Sequence, residues 1–366
     1  MIEGAIMTNL DIAQKRLHNQ LITRPMFEKP EDIVRWLGAV QSQDYAAAKW
    51  ALGLRMQGVT DDAIEQAFAD GSILRTHVMR PTWHFVAPAD IRWMLTLTAP
   101  RINALNAYYY RKLELDDAVF TFCNAVLAKA LQGGKQLTRS ELASVLQQAG
   151  IAADNLLRST YIIMRAELDG IICSGARRGK QFTYALLDER VPPTRNLDRD
   201  EALAEFARRY FTSHGPATLQ DFVWWSGLSA ADARVGLEMV ASQLMSEAIE
   251  GQTYWFSTSM PSVKDLSQTV HLLPNFDEYT VGYTDRSAVI DVSDATKFDA
   301  RGNVLNHVVV LNGRVVGTWK RMVKKDTVIV TPNLFIPLNE AETCAFVAAA
   351  NRYGAFLGMH VNVTLY

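Results

Sequence analysis

Three times along this 366-residue chain a pair of helical patterns runs into a short β-forming stretch, and this recurrence restricts the fold more than any bulk property. In the first instance Pro30 opens a helix whose apolar positions Ile33, Val34, Leu37 and Val40 share one face. Helices follow over 46–56 and, with Thr60 as N-cap, over 61–69. Residues 73–86 are then rich in β-formers, punctuated by Pro81, and a further helix begins at Pro88. The second instance is cleaner. Thr138 and Glu141 form a capping-box signature for a helix ending near Gly150, and a longer helix spans Leu156–Leu168. Residues 171–174 and 181–186 read as two strands around Gly175-Ala176-Arg177-Arg178-Gly179-Lys180. After a linker at 190–198 containing Pro192 and Pro193 comes the third: a helix over 217–225, the turn Ser226-Gly227-Leu228-Ser229, a helix over Ala230–Val240 and a reduced wing at 254–257. Helix, helix, wing is the winged helix-turn-helix order, although the three units share no sequence motif.

From about residue 270 the hydrophobic period changes to two. Residues 308–311, the turn Asn312-Gly313 and residues 315–319 make the strongest hairpin signal in the chain. Strands over 327–331 and 360–366 flank a helix over 340–353. The predicted fold is therefore α+β: three tandem winged helix-turn-helix modules (8–115, 116–192 and 193–265) followed by a C-terminal β-barrel-like domain (266–366).

A formal net charge of −2 excludes nucleic-acid binding through overall charge and places any such contact on local basic surfaces. Cys123, Cys173 and Cys344 are odd in number, far apart and not at zinc spacing, so neither a disulfide scaffold nor a metal site is expected, and no cofactor motif is present. The first ten residues lack the basic and apolar regions of a leader, and no segment approaches the ~20 apolar residues of a membrane span. A cytoplasmic, nucleoid-associated protein without membrane contact is the expectation.

Between Asp299 and Asp326 there is no carboxylate, whereas Arg301, Arg314, Lys320, Arg321, Lys324 and Lys325 all lie there. The wing turn adds Arg177, Arg178 and Lys180. Either cluster alone reads as a solvated loop. Together, with one on a wing, they point to phosphate contacts by Arg177, Arg178, Lys180, Lys320, Arg321, Lys324 and Lys325.

Gln41-Ser42-Gln43-Asp44 falls where one helix ends and the next begins. On a helix, residues i and i+2 are turned about 200° apart, so the two glutamines share a face only if the junction is extended. Ser42 or Asp44 then caps the next helix; the plainer alternative is that both amides satisfy orphan backbone groups. For Asp44 the cap is preferred to a general base. Asp277 and Glu278, being adjacent, cannot act jointly from one strand, and a network with Arg286 is preferred, with Asp277 or Tyr279 bordering a channel together with Asp44 and Arg286. His77 and His84 face opposite ways on a strand, which disfavours a shared metal; Arg80 and His84 are retained as DNA-cleft residues. Lys49 is expected to face solvent, and the aromatic clusters, including Trp83, Trp224 and Trp225, to be mostly core.

Gln41-Ser42-Gln43, the stretch Arg75-Thr76-His77-Val78-Met79-Arg80-Pro81-Thr82-Trp83-His84, and Leu272-Leu273-Pro274-Asn275-Phe276-Asp277-Glu278-Tyr279 with Arg286 together resemble the AlkZ-like winged-helix DNA glycosylase family, in the same order and over nearly the whole chain. The resemblance implies a C-shaped monomer of three winged helices and a β-barrel around a DNA channel. It also implies excision of alkylated purines, including bulky or cross-linking N7 adducts, from double-stranded DNA, with Gln41 and Gln43 as the essential catalytic pair. Ser42 stands where the family usually has an apolar residue and Pro81 where glycine is expected, departures that bear on substrate range more than on fold. Glutamine suits such chemistry because an N7-alkylated purine is already cationic and departs without a general acid, leaving a water to be oriented at C1′. The alternative is a winged-helix transcriptional regulator without catalysis. The chain shows no heptad seam or dimerisation helix of the kind regulators use on palindromic sites, and three modules in one chain favour a clamp.

Overall fold

A computed structural model describes residues 7–152, 155–194, 197–258, 269–291 and 306–364. It is a mixed α+β structure whose packing divides into two units that cut across the modules read from sequence. One takes Met1–Glu65, Leu203–Trp225 and Ser229–Tyr366, and the other Gln66–Ala202 with Ser226–Leu228.

The first unit is organised on an open five-stranded sheet in the order His360–Val363, Thr327–Leu334, Arg314–Lys324, Val308–Leu311, Val270–Leu273. All pairs are antiparallel except His360–Val363 with Thr327–Leu334. The expected barrel-like domain is thus an open sheet among the described residues. At its centre Leu311 pairs with Arg314 across Asn312 (φ 53°) and Gly313 (φ 92°), the two left-handed residues that a tight hairpin compatible with strand twist requires. A Cβ on Gly313 would also lie 3.1 Å from that of Ala13, so the turn admits the helix Asn9–Asn19 only as glycine. Helix Glu340–Leu357 starts at an Asn339/Glu342 capping box and covers the sheet, its Tyr353 ring meeting Trp319 at 5.2 Å and Trp50 at 5.0 Å. Trp50 is fully buried and donates its indole N–H to the Leu272 carbonyl, which locks helix Tyr45–Gly53 onto the sheet.

In the same unit the reduced wing expected at 254–257 is a full hairpin, Leu244–Ile249 paired with Gln252–Ser257. Its first strand escapes a sequence reading because Ser246, Glu247 and Ala248 are weak β-formers. The turn, Glu250 (φ 49°) and Gly251 (φ 80°), supplies the register instead.

The second unit closes a core of Phe120, Cys123, Leu127, Leu142, Leu146, Ile162 and Ile172 beneath helices Asp117–Leu131, Arg139–Gln148 and Leu156–Leu168. The Thr138/Glu141 capping box is present, and a three-stranded antiparallel sheet, Leu137–Thr138, Thr183–Leu186, Ile172–Ser174, completes the helix, helix, hairpin order. A second hairpin, Leu74–Val78 with Arg80–Val86, turns on Met79 (φ 66°) and places Arg75 opposite Phe85 and His77 opposite Trp83.

Candidate active site

The glutamine junction is extended. Val40–Gln41 form a short strand, and Asp44, in the β region at φ −95° and ψ 105°, caps helix Tyr45–Gly53 by accepting the Ala47 N–H at 3.1 Å. Asp44 is therefore the N-cap. The two glutamines differ in setting: Gln41 is 7% exposed, Gln43 is exposed, and Ser42 between them is fully buried.

What fixes the junction is Glu278. Its Oε1 accepts the Gln41 backbone N–H at 2.9 Å, and its Oε2 accepts the Trp225 indole N–H at 2.8 Å. His214 Nε2 lies 3.4 Å from the same oxygen, with Nδ1 2.8 Å from Ser213 Oγ. Burial pushes the His214 imidazole below its usual pKa, against the opposing pull of Glu278. At 1% exposure Glu278 is a carboxyl group held in the interior against the backbone of the glutamine motif.

Its neighbours correct two expectations. Asp277 and Tyr279 are completely buried and border no channel. Asp277 caps the short helix Glu278–Val281 and takes both Arg55 guanidinium nitrogens, at 2.8 and 2.9 Å, so its partner is Arg55 and not Arg286. Arg286, half-buried, donates Nε to the Thr280 carbonyl. The Tyr279 hydroxyl donates to the Gly313 carbonyl at 2.6 Å, tying the turn to the central hairpin. The physical reason is the local helix, which turns successive side chains inward where an extended strand would have alternated them.

Beside the junction, Asp44, Asn275, His307, Trp319, Lys320 and Arg321 line a cleft of about 450 Å³. The Asn275 backbone N–H donates to His307 Nδ1 at 2.6 Å, which leaves the ring proton on Nε2. Burial, then Arg321, lowers the His307 pKa to about 4, with Asp44 pulling the other way, so the ring is a neutral donor at pH 7. It stacks on Trp319 with centroids 4.9 Å apart. The Asn275 side-chain amide reaches Asp44 Oδ2 at 3.4 Å, and the Arg321 guanidinium donates to Tyr353 Oη at 2.5 Å. Glu278, His307 and Asn275 were missed as site residues from sequence. The signal available was position: Glu278 is one of the acidic pair already singled out, Asn275 lies two residues before that pair, and His307 lies within the carboxylate-free basic stretch.

The expected phosphate-binding residues fall into separate groups. Lys320, Arg321, Lys324 and Lys325 follow one hairpin, from the cleft to the turn at Lys325 (φ 44°), with all but Arg321 exposed. Arg301 lies outside the described residues. On the second unit, Lys180 is exposed, Arg177 lies over Phe182 at 5.3 Å, and Arg178 folds back on Glu141 at 2.7 Å. That contact, with the Thr138 cap, holds the Glu141 carboxyl at about 2. Arg80 is half-buried, while His84 is 1% exposed with Nδ1 3.0 Å from the Thr82 carbonyl, so His84 is no cleft residue. Lys49 does not face solvent either: it is 5% exposed and bonded to Asp61 at 2.7 Å and Glu65 at 2.8 Å. Its four-carbon stem packs while its ammonium finds two carboxylates from the following helix.

Comparison with known proteins agrees in extent. A family model described as DNA glycosylase AlkZ-like matches residues 34–356. An interstrand DNA cross-link repair glycosylase of Streptomyces sahachiroi is 25% identical over 332 residues, covering 87% of this chain and 88% of that protein. The solved structure of Streptomyces sahachiroi DNA glycosylase AlkZ matches with a TM-score of 0.81 at 22% identity, over 98% of this chain and 100% of that one, a likeness of fold.

Proposed function

The chain belongs to the AlkZ-like DNA glycosylase family, and from that premise we propose that it hydrolyses the N-glycosidic bond of cationic N7-alkylated purines in duplex DNA, acting as a monomer. A DNA glycosylase must place water at C1′ and stabilise positive charge on the departing sugar. When the base is already cationic, the glycosidic electron pair neutralises it as it leaves, and no general acid is needed. Water supplies the new C1′ oxygen bond, and its surplus proton passes to solvent through the cleft.

The observation that carries this reading is an extended glutamine junction, backed by the Glu278 carboxyl and exposed at Gln43, whose neighbour Asp44 lines a cleft with Lys320 and Arg321. The Gln41 and Gln43 amides orient the water, as neutral groups can without acting as strong bases. His307, neutral with its proton on Nε2, donates to the leaving base or to a backbone phosphate beside it. Lys320, Arg321, Lys324 and Lys325 contact phosphates along the hairpin, and Arg177 and Lys180 do so from the second unit. The three helix, helix, hairpin stretches serve as winged-helix DNA-binding modules. Lys49, engaged by two carboxylates, is not free to act as an amine nucleophile, which supports reading the enzyme as monofunctional. Because its curated relative repairs interstrand cross-links, the lesion class extends to bulky adducts and N7-linked cross-links.

The test is release of free base from duplexes carrying N7-methylguanine, an N7-linked interstrand cross-link, or uracil. Release from the first two and none from the third is expected. Equal rates on uracil, whose departure needs protonation or strong anion stabilisation, would contradict the mechanism.

A further inference from the structure

The stretch from Arg75 to His84 lends Arg75 and Trp83 to the lining of a cavity within the second unit, separate from the cleft beside the glutamine junction. That cavity has a volume of about 710 Å³. Arg75, itself 7% exposed, is held between two rings, with its guanidinium carbon 4.3 Å from the Trp83 centroid and 4.5 Å from that of Phe182. Beneath, His77 meets Trp83 at 4.3 Å and its Nδ1 lies 2.5 Å from Glu167 Oε2, both groups buried, so the floor is braced from the core. The helix Arg139–Gln148 forms one wall, presenting Arg139, Ser144 and Gln147, and the loop residues Lys180 and Gln181 form the rim.

The lining is chemically one-sided. Arg75, Arg139 and Lys180 line it and no carboxylate does, which selects an anion. Trp83, Phe182 and Leu156 add apolar surface to the lining beside the Arg75 guanidinium plane, while hydroxyls and two glutamine amides offer donors and acceptors to the edge of a flat ligand. The volume falls in the range of single-ligand pockets, roughly 300–1,000 Å³, and is far too small for a duplex. We propose that this cavity binds one unstacked nucleotide, with its phosphate at Arg139 and Lys180 and its base against the aromatic floor. The nucleotide is either an extrahelical residue of a DNA strand or a free mononucleotide. This goes beyond the excision chemistry and is independent of it, being carried by a different unit.

Calorimetric titration of the full chain tests it without any damaged DNA. The probes are 5′-GMP, guanosine and inorganic phosphate. Saturable binding of 5′-GMP, about tenfold or more tighter than either half-ligand, is expected. Ser144→Trp, which fills the cavity from an exposed helix position, and Lys180→Ala, at an exposed rim position, are each expected to weaken it about tenfold, with circular dichroism showing the fold retained. Displacement of 5′-GMP by a single-stranded oligonucleotide assigns the nucleotide to DNA; retention of 5′-GMP alongside the oligonucleotide assigns it to a free ligand. No saturable 5′-GMP binding, or binding unchanged in Ser144→Trp, overturns the proposal. Because no base is excised in this measurement, its failure leaves the glycosylase reading untouched, and the converse holds.

Discussion

The Gln41 backbone N–H donates to Glu278 Oε1 at 2.9 Å across 237 positions of sequence, so the first residue of the glutamine motif is held by a carboxyl group from the C-terminal third of the chain. A buried carboxyl is costly unless its oxygens are satisfied. Here both are, by a backbone amide, an indole and a neutral imidazole. The arrangement ties the first residue of the junction to the buried turn at Glu278.

Glu278→Gln should therefore act on chemistry more than on binding. One acceptor oxygen survives and an amide NH₂ is set against either the Gln41 or the Trp225 N–H. The expected result is a fall in single-turnover excision of at least about tenfold with duplex affinity nearly unchanged. Urea unfolding should show a loss on the order of 1–3 kcal/mol from the lost hydrogen bond.

Gln41→Ala with Gln43→Ala should lower N7-methylguanine release by about 100-fold or more, the usual scale for removing a preorganised polar contact at a reacting centre, about 2.7 kcal/mol. Gln43→Ala alone should leave stability unchanged because Gln43 is exposed. Gel-shift affinity for undamaged duplex should persist in both, and full activity in the double variant would rule out the amides as water-positioning groups.

Asp44 separates cap from base. Asp44→Asn keeps a side-chain oxygen for the Ala47 N–H and should retain excision within a few-fold; Asp44→Ala should cost about 1 kcal/mol of stability. A collapse of activity in Asp44→Asn with unchanged stability would make Asp44 a base.

Stability should fall as pH drops from about 6.5 to 4. Burial lowers the His307 and His271 pKa values to about 4 from the usual 6.5, so in this window the unfolded chain binds more protons than the folded one. The stabilisation is complete above pH 6.5 and is lost as pH falls through the folded values, by up to roughly 3 kcal/mol per histidine. Urea midpoints from pH 7.5 to 4.5 check this, and His307→Gln should flatten the curve. Excision should be pH-independent between 6.5 and 8, where the His307 ring stays neutral.

Charge removal on the cleft hairpin should be read in salt. Lys320→Ala, Lys324→Ala and Lys325→Ala should each lower duplex affinity uniformly across sequences and reduce the salt slope by roughly one. Arg178→Ala should change the slope less than Lys180→Ala, since Arg178 is already engaged by Glu141. Salt slopes unchanged from the parent protein in Lys320→Ala, Lys324→Ala and Lys325→Ala would remove the hairpin from the interface.

Where local chemistry decides, the sequence was sufficient. The Asn312-Gly313 turn, the Thr138/Glu141 box, the Asp44 cap and helices Leu156–Leu168 and Ala230–Val240 follow from turn and cap preferences acting within a few residues. The glutamine junction was legible in part: the cap at Asp44 marks the helix start at Tyr45, whereas the sequence left the extended geometry as one of two alternatives and the contact with Glu278 is long-range. The polar strand Leu244–Ile249 was not, since its pairing with Gln252–Ser257 outweighs its weak propensity.

Only tertiary structure could choose partners for the buried charges. Arg55 for Asp277, Glu167 for His77, and Glu278 for the Gln41 N–H are separated by 222, 90 and 237 positions, and no periodicity encodes such pairs. Burial forces them: once apolar packing closes over a charged or polar group, its lost hydration must be replaced by whichever complementary group the fold has brought within reach.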